Sequence, residues 1–366
     1  MRTFLEICIL TALLPAVGCS TNPSLAKGQL GALVFSDTAL SRPPGQSCAD
    51  CHAARVAFRD PESSRTTSMG AVAGRFGPHN APTAMYARYI PPLHLDERGR
   101  WIGGLFWDGR AQTLEDQAAV PLLNPLEMNN PDRASVVDAV RRASYAPAFR
   151  ELFGPGALDE IDTGFGHVTE ALAAFERTMF LAPFSSRYDR YLAGLLALTD
   201  AEQRGLAIFE DPARGNCAGC HPSRPGSDGT PPLFTDHSYA NLGVPRYDNN
   251  KFYVQPPSLN PEGEHHIDHG LMITVGDPAQ DGRFRVPTLR NIAVTPPYGH
   301  NGYFENLAYF IDFLNTRDLG SRDVGTCSRI TTGVRCGWPP AEVTATVDRH
   351  GIGNLGLGDQ DIADLL

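Results

Sequence analysis

The sequence predicts a mainly α chain in two related halves, with long structured loops and few short strands. Three observations predict it. The pentapeptide Cys48-Ala49-Asp50-Cys51-His52 returns as Cys217-Ala218-Gly219-Cys220-His221. Each copy follows a similar amphipathic stretch, Gly31-Ala-Leu-Val-Phe35-Ser-Asp37 before the first and Gly205-Leu-Ala-Ile-Phe209-Glu-Asp211 before the second. Apolar residues elsewhere recur at helical spacing, while 36 Gly and 30 Pro place much of the remaining chain in loops.

The pentapeptide carries the chemistry. Cys-x-x-Cys-His is the attachment signature of a c-type haem: two thiols add across the porphyrin vinyl groups and the adjacent His gives a nitrogen to iron. A single copy would also suit a zinc corner or a redox dithiol. Two copies in a chain that opens with an export signal read as two covalently attached haems, held by Cys48, Cys51 and His52 and by Cys217, Cys220 and His221.

The elements follow in order. Met1-Arg2-Thr3 leads into an apolar run from Ile7 to Val17, too short for a permanent membrane span, and then Gly18-Cys19-Ser20. Residues 1–19 read as a signal peptide of lipoprotein type, with Cys19 as the lipidated residue; a plain secretory signal is the alternative, and Glu6 is unusual in either. Residues 20–182 form the first haem domain. Pro131 to Arg142 reads as a helix, and so does Phe165 to Phe180, where Val168, Leu172, Phe175 and Met179 share one face. Met179 is expected in the core rather than on iron. Pro183-Phe-Ser-Ser186 joins the second haem domain, residues 183–366, whose first helix carries the capping box Thr199-x-x-Glu202. Pro222 to Pro297 is expected as a long structured loop wrapped over the second haem, and Phe304 to Thr316 as helix.

Net charge is −10 and no Lys/Arg cluster appears, so a nucleic-acid partner is excluded. Of 8 cysteines, Cys8 and Cys19 belong to the signal and four carry haem. Cys327 and Cys336 remain, an even pair expected to bridge in an oxidising compartment, with two free thiols as the alternative.

The chain resembles the bacterial dihaem cytochrome c peroxidases and their MauG-type relatives over nearly all of its mature length. Besides the two haem motifs, the resemblance is carried by Gly77-Pro-His-Asn-Ala-Pro-Thr83, Phe106-Trp-Asp-Gly-Arg110, Gln117, Pro125-Leu-Glu-Met128, Arg285-Val-Pro-Thr-Leu-Arg-Asn291 and Thr295-Pro-Pro-Tyr-Gly-His-Asn-Gly302. Asn315-Thr-Arg-Asp318 resembles the MauG-type branch. The resemblance implies two cytochrome-c-like domains in the periplasm, a first haem that reacts with hydrogen peroxide, and a second that receives electrons from a small cytochrome or cupredoxin. In the MauG-type branch a protein substrate takes the place of the donor. It further implies Glu127 and Gln117 as the distal pocket of the first haem and Trp107 as a relay between haems. It implies a calcium ion held by Asn80, Thr295 and Pro297, and a homodimer as a common state.

Two departures stand out. The loop before Gly77, Met69 to Phe76, has no His, although activation-dependent members place a removable iron ligand there. His79 stands where Arg is usual, and His94 lies in an insertion; both are expected as polar surface. At the second haem the family's Met or Tyr ligand is matched by Leu314, which cannot bind iron; His265, His266, His269 and Met272 lie outside the motif. The helix opening at Asp359 is one that the family usually continues, which implies a shortened C-terminus.

Overall fold

The structure is a computed structural model that describes residues 23–62, 66–319 and 337–366. The segment expected to be a signal, with Cys8 and Cys19, and the pair Cys327 and Cys336 lie outside the described residues. The described chain is mostly helical, with two-stranded sheets only.

In the first half, α1 (Pro23–Phe35) runs into the helical turn α2 (Cys48–Cys51), which carries the haem motif. Ser47 and Asp50 cap that turn: the Asp50 carboxylate accepts from the Ser47 backbone N–H and hydroxyl, both at 2.7 Å. A hairpin of β1 (His94–Leu95) and β2 (Trp101–Ile102) precedes α3 (Leu114–Leu123), α4 (Arg133–Arg142), α5 (Ala146–Phe153) and α6 (Ile161–Glu176). Helix α6 is the centre: α1, α3 and α4 pack on it, burying Leu30, Val34, Val136, Val140, Val168 and Leu172. The α1–α6 crossing depends on Gly31, where a Cβ would lie 1.9 Å from the Ala171 carbonyl oxygen.

The second half repeats the device. Helix α7 (Arg187–Leu192) is followed by α8 (Asp200–Glu210), whose cap is the expected Thr199–Glu202 box. After the second haem motif come β3 (Tyr239–Ala240), α9 (Leu271–Val275) and β4 (Phe284–Arg285), with β3 and β4 paired antiparallel. Then come α10 (Leu307–Thr316) and α11 (Asp359–Leu365). Helix α11 crosses α8 at Gly205, where a Cβ would lie 2.0 Å from the Asp364 carbonyl oxygen. The glycine that opens each internal repeat is therefore the crossing point of the helix leading into each haem motif.

The loop-rich stretch 222–297 is held by backbone bonds and by side chains that bond distant backbone carbonyls. Thr235 Oγ donates to Val286 at 2.6 Å, Thr288 Oγ to Leu233 at 2.6 Å, and Arg290 Nε to Pro232 at 2.7 Å.

Three boundaries differ from expectation. Helix α6 starts at Ile161 and ends at Glu176, because Thr178 leaves helical geometry (ψ 152°) and only a short turn, Met179–Leu181, follows. Met179 is therefore 54% exposed instead of in the core. Helix α4 begins two residues after Pro131, with Asp132 capping Ser135 N–H at 2.8 Å. Helix α10 begins at Leu307 behind an Asn306 cap, and Phe304 instead pairs with Tyr298.

Candidate haem sites and the ground between them

Both motif histidines are locked in the same way. His52 Nδ1 meets the Phe58 carbonyl at 3.0 Å, and His221 Nδ1 meets that of Phe234 at 2.7 Å. Phe58 (φ 56°) and Phe234 (φ 51°) take left-handed backbone conformations, which bends the chain beneath each imidazole. A ring nitrogen that donates to a carbonyl leaves Nε2 with its lone pair, the form an iron ligand needs. Burial pushes both imidazoles below their ordinary pKa, which also keeps them neutral. The same burial pushes the Cys48, Cys51, Cys217 and Cys220 thiols up. None of the four is in a disulfide.

Sequence reasoning missed this lock. A signal was present: Phe58-Arg59-Asp60 and Phe234-Thr235-Asp236 form a second repeat, Phe-x-Asp, after each motif. Asp60 and Asp236 also act on the two histidines, each favouring the charged ring. The unequal spacing from His52 and His221 hid the match.

Around the first site, Gln117 lies on α3 between buried Leu114 and Leu122, on the face that also carries Pro121 and Asn124. The chain then turns back so that Met128 N–H reaches the Pro121 carbonyl at 3.1 Å. Glu127 sits in that turn. Its Oε1 accepts from Asn124 Nδ2 at 3.0 Å. Burial raises its pKa, opposed by the charges of Arg110 and His79. The loop from Met69 to Phe76 is pinned onto this turn. Ala71 N–H donates to the Glu127 carbonyl at 2.7 Å, and Arg75 donates to the Pro125 carbonyl at 3.0 Å and to Asn129 Oδ1 at 2.9 Å. Gly70 lies so close that a Cβ would fall 2.3 Å from the Leu126 carbonyl oxygen. The second half adds a latch: Gln255 Nε2 donates to the Gly74 carbonyl at 2.9 Å and Asn250 Nδ2 to that of Pro78 at 2.8 Å.

The second motif opens on a cavity of about 460 Å³, lined by Cys217, Cys220 and His221 and by apolar side chains including Phe209, Phe234 and Leu314. That volume falls in the range of cofactor sites, roughly 300–1,000 Å³. Arg285 supplies an independent test of fit. Its guanidinium is buried on the cavity wall, bonded to the Phe106 carbonyl at 3.3 Å, and among the described residues no carboxylate pairs with it. Burial lowers its pKa, opposed by Tyr239. A buried cation without an anion is costly, and the carboxylates of a porphyrin edge would supply one. The residues present therefore fit a haem.

Trp107 is buried at 9% exposure on the wall of this cavity. Its Nε1 donates to the Asn80 carbonyl at 2.8 Å, and its own carbonyl accepts from Arg285 N–H at 2.8 Å. Asn80, Thr295 and Pro297 come together on the same wall, with Asn80 Nδ2 2.8 Å from the Pro297 carbonyl oxygen. Among the described residues no cluster of three His, Cys, Asp or Glu is placed to hold a metal ion. A cation here would rest on amide and carbonyl oxygens, which suit calcium.

His94 is exposed, as expected. His79 is not surface: its side chain is 17% exposed and its Nε2 lies 2.5 Å from Asp268 Oδ2. Burial disfavours its charge, but Asp268 prevails and the net shift is upward, while the same pair holds Asp268 far below the usual carboxylate range. His265 is exposed, His266 pairs with Glu262 and His269 with Asp281, each pair at 2.7 Å. None of these three, nor Met272, lines the haem cavity. Asn315-Thr-Arg-Asp318 is a structural joint. Asn315 exchanges bonds of 3.0 and 2.9 Å with Leu357, and Arg317 reaches the carbonyls of Leu242 and Asp348.

Fold and sites together define an oxidoreductase of the two-haem class. The chain belongs to the di-haem cytochrome c peroxidase family, whose model matches residues 25–196. It is 42% identical over 315 residues to the methylamine utilization protein MauG of Paracoccus denitrificans, covering 84% of this chain and 79% of that protein. It is 32% identical to the cytochrome c551 peroxidase of Nitrosomonas europaea, covering 75% of this chain and 68% of that one. The crystal structure of the diheme peroxidase BthA from Burkholderia thailandensis superposes with a TM-score of 0.75 at 33% identity, covering 97% of this chain and 87% of that one.

Proposed function

We propose that the chain reduces hydrogen peroxide to water at a haem held by Cys48, Cys51 and His52. A small periplasmic cytochrome or cupredoxin supplies the electrons at a second haem, held by Cys217, Cys220 and His221. The balance is one peroxide, two electrons and two protons to two waters. When bound, the haem supplies the redox chemistry; the chain supplies position and protons. Glu127 takes a proton from one peroxide oxygen and returns it to the leaving one, with Gln117 orienting the substrate. Trp107 is the relay, its indole N–H held by the Asn80 carbonyl and its backbone carbonyl by Arg285 N–H.

The observation that carries this reading is the state of the first distal side. The Met69–Phe76 loop contains no His and is bonded onto the Glu127 turn, and His79 is held by Asp268. Among the described residues, neither this loop nor His79 offers a free imidazole to the first iron. The test is steady-state peroxide consumption with a reduced donor, expected at two electrons per peroxide. Protein with both haems that oxidises no donor would refute it.

A second reading, oxidation of residues in a partner protein, is favoured by the 42% identity to a MauG protein. It would show as peroxide-dependent modification of a co-expressed secreted protein with no donor turnover. A dihaem electron carrier is disfavoured by Glu127, Gln117 and Trp107 all being kept. We further propose a domain boundary near Ala182, calcium at Asn80, Thr295 and Pro297, dimerisation, and a lipid on Cys19. Wild type that needs no detergent for release would reduce this last point to a plain secretory signal.

A further inference from the structure

We infer that the second haem site is a pocket for a small neutral diatomic ligand, such as carbon monoxide or nitric oxide. The inference rests on the two-haem reading above and concerns what the chain offers beyond His221.

Helix α10 lines the cavity with Leu307, Phe310, Ile311 and Leu314, spaced i, i+3, i+4 and i+7, so one unbroken apolar stripe faces it. Nothing on that stripe carries a lone pair suited to iron. The other candidates on the wall are either hydrogen-bonded or enclosed away from the open space. The Tyr298 hydroxyl donates to the Ile292 carbonyl at 2.8 Å. Asp268 is bound by His79 at 2.5 Å. Glu342 Oε1 takes the Asp268 N–H at 3.3 Å and the Tyr253 hydroxyl at 3.5 Å, and its Oε2 is fully enclosed. His300 lies flat on Phe284, ring centroids 3.6 Å apart, and its Nε2 is likewise enclosed without a partner. Among the described residues no methionine lines the cavity. Among the described residues, His221 is therefore the one side chain that presents a free imidazole nitrogen to this space.

The pocket's chemistry selects its ligand. An anion or a peroxide entering beside α10 would lose its hydration and find no donor on that stripe, which is costly. Carbon monoxide and nitric oxide need none. Arg285, the cation of the cavity, is held against Phe106 and Trp107 and is the partner for porphyrin carboxylates. The two haem sites thus differ in kind. The first has a buried acid for a protic substrate, and the second has a hydrocarbon wall.

The test uses the holoprotein reduced with dithionite and titrated with carbon monoxide, after a pyridine haemochrome assay has counted the haems. A count of one haem would overturn the two-haem reading and this inference with it, whereas a failure of the inference alone would show only in the titration. With two haems present, wild type is expected to bind a carbon monoxide that Leu314→Met abolishes, the variant gaining a low-spin signature at one haem. Leu314→His serves as the second probe, by placing an imidazole on the same stripe. Carbon monoxide stoichiometry and spectra unchanged in both variants would overturn the inference, because another residue would then already hold the site.

Discussion

Glu176 closes α6 with its side chain inside the protein, 8% exposed, and burial pushes its carboxyl to about 8, helped by Glu115 and opposed by Arg177. It is the largest electrostatic influence on the Cys48 thiol, so it lies beside the first haem motif. A carboxyl harder to ionise folded than unfolded makes the native state hold a proton that the unfolded chain has released. Stability is then fully present below the ordinary value of 4.5 and is lost as pH rises through about 8. That interval corresponds to a loss of ~5 kcal/mol at full ionisation, an upper figure that relaxation of the site reduces. Glu176→Gln cannot release a proton and escapes the loss. The variant should match wild type within ~1 kcal/mol at pH 4 and exceed it by ~2–5 kcal/mol at pH 9. Urea unfolding of the holoprotein, followed by far-UV circular dichroism at each pH, measures the difference. A gap between variant and wild type that does not change with pH would refute the reasoning.

Three further outcomes are expected. Glu127→Gln should slow the reaction with peroxide by about a hundred- to ten-thousand-fold while leaving the resting spectrum little changed, read by stopped-flow; an equal rate would remove Glu127 from the chemistry. Trp107→Phe should slow electron delivery from the second haem to the first more than it slows the peroxide reaction itself, seen by comparing donor turnover with single-turnover rates; equal effects would make Trp107 a packing residue. Removing calcium with a chelator should lower donor turnover and restoring calcium should recover it, with metal analysis of the purified protein as the check.

What the sequence showed depended on how local the signal was. The Thr199–Glu202 cap and the paired repeats before each motif are contained within a few residues, and the structure forms the cap and puts each repeat at the end of a helix, while the motif cysteines lie on short helical turns and not in loops. The glycines in those repeats gained a meaning only in three dimensions, because their partners Ala171 and Asp364 are remote in the chain. His79 was misread for the same reason: its partner Asp268 is 189 residues away, and a lone His in a Gly-Pro stretch looks like surface. Met179 shows the opposite failure, since the apolar period runs past the residue where the backbone stops being helical. Arg285 was visible only as part of a motif; that its guanidinium is buried with no acid paired to it among the described residues is a property of the fold.

The account turns on a first haem site left open by its own chain, and that is tested most directly by mixing the fully oxidised protein with peroxide in a stopped-flow spectrometer. An immediate spectral change at one haem, with no prior reduction, is the result the account requires. Oxidised protein that stays inert and becomes reactive only after one electron is added would contradict it, and would mean that a ligand other than an imidazole from the Met69–Phe76 loop closes the first iron.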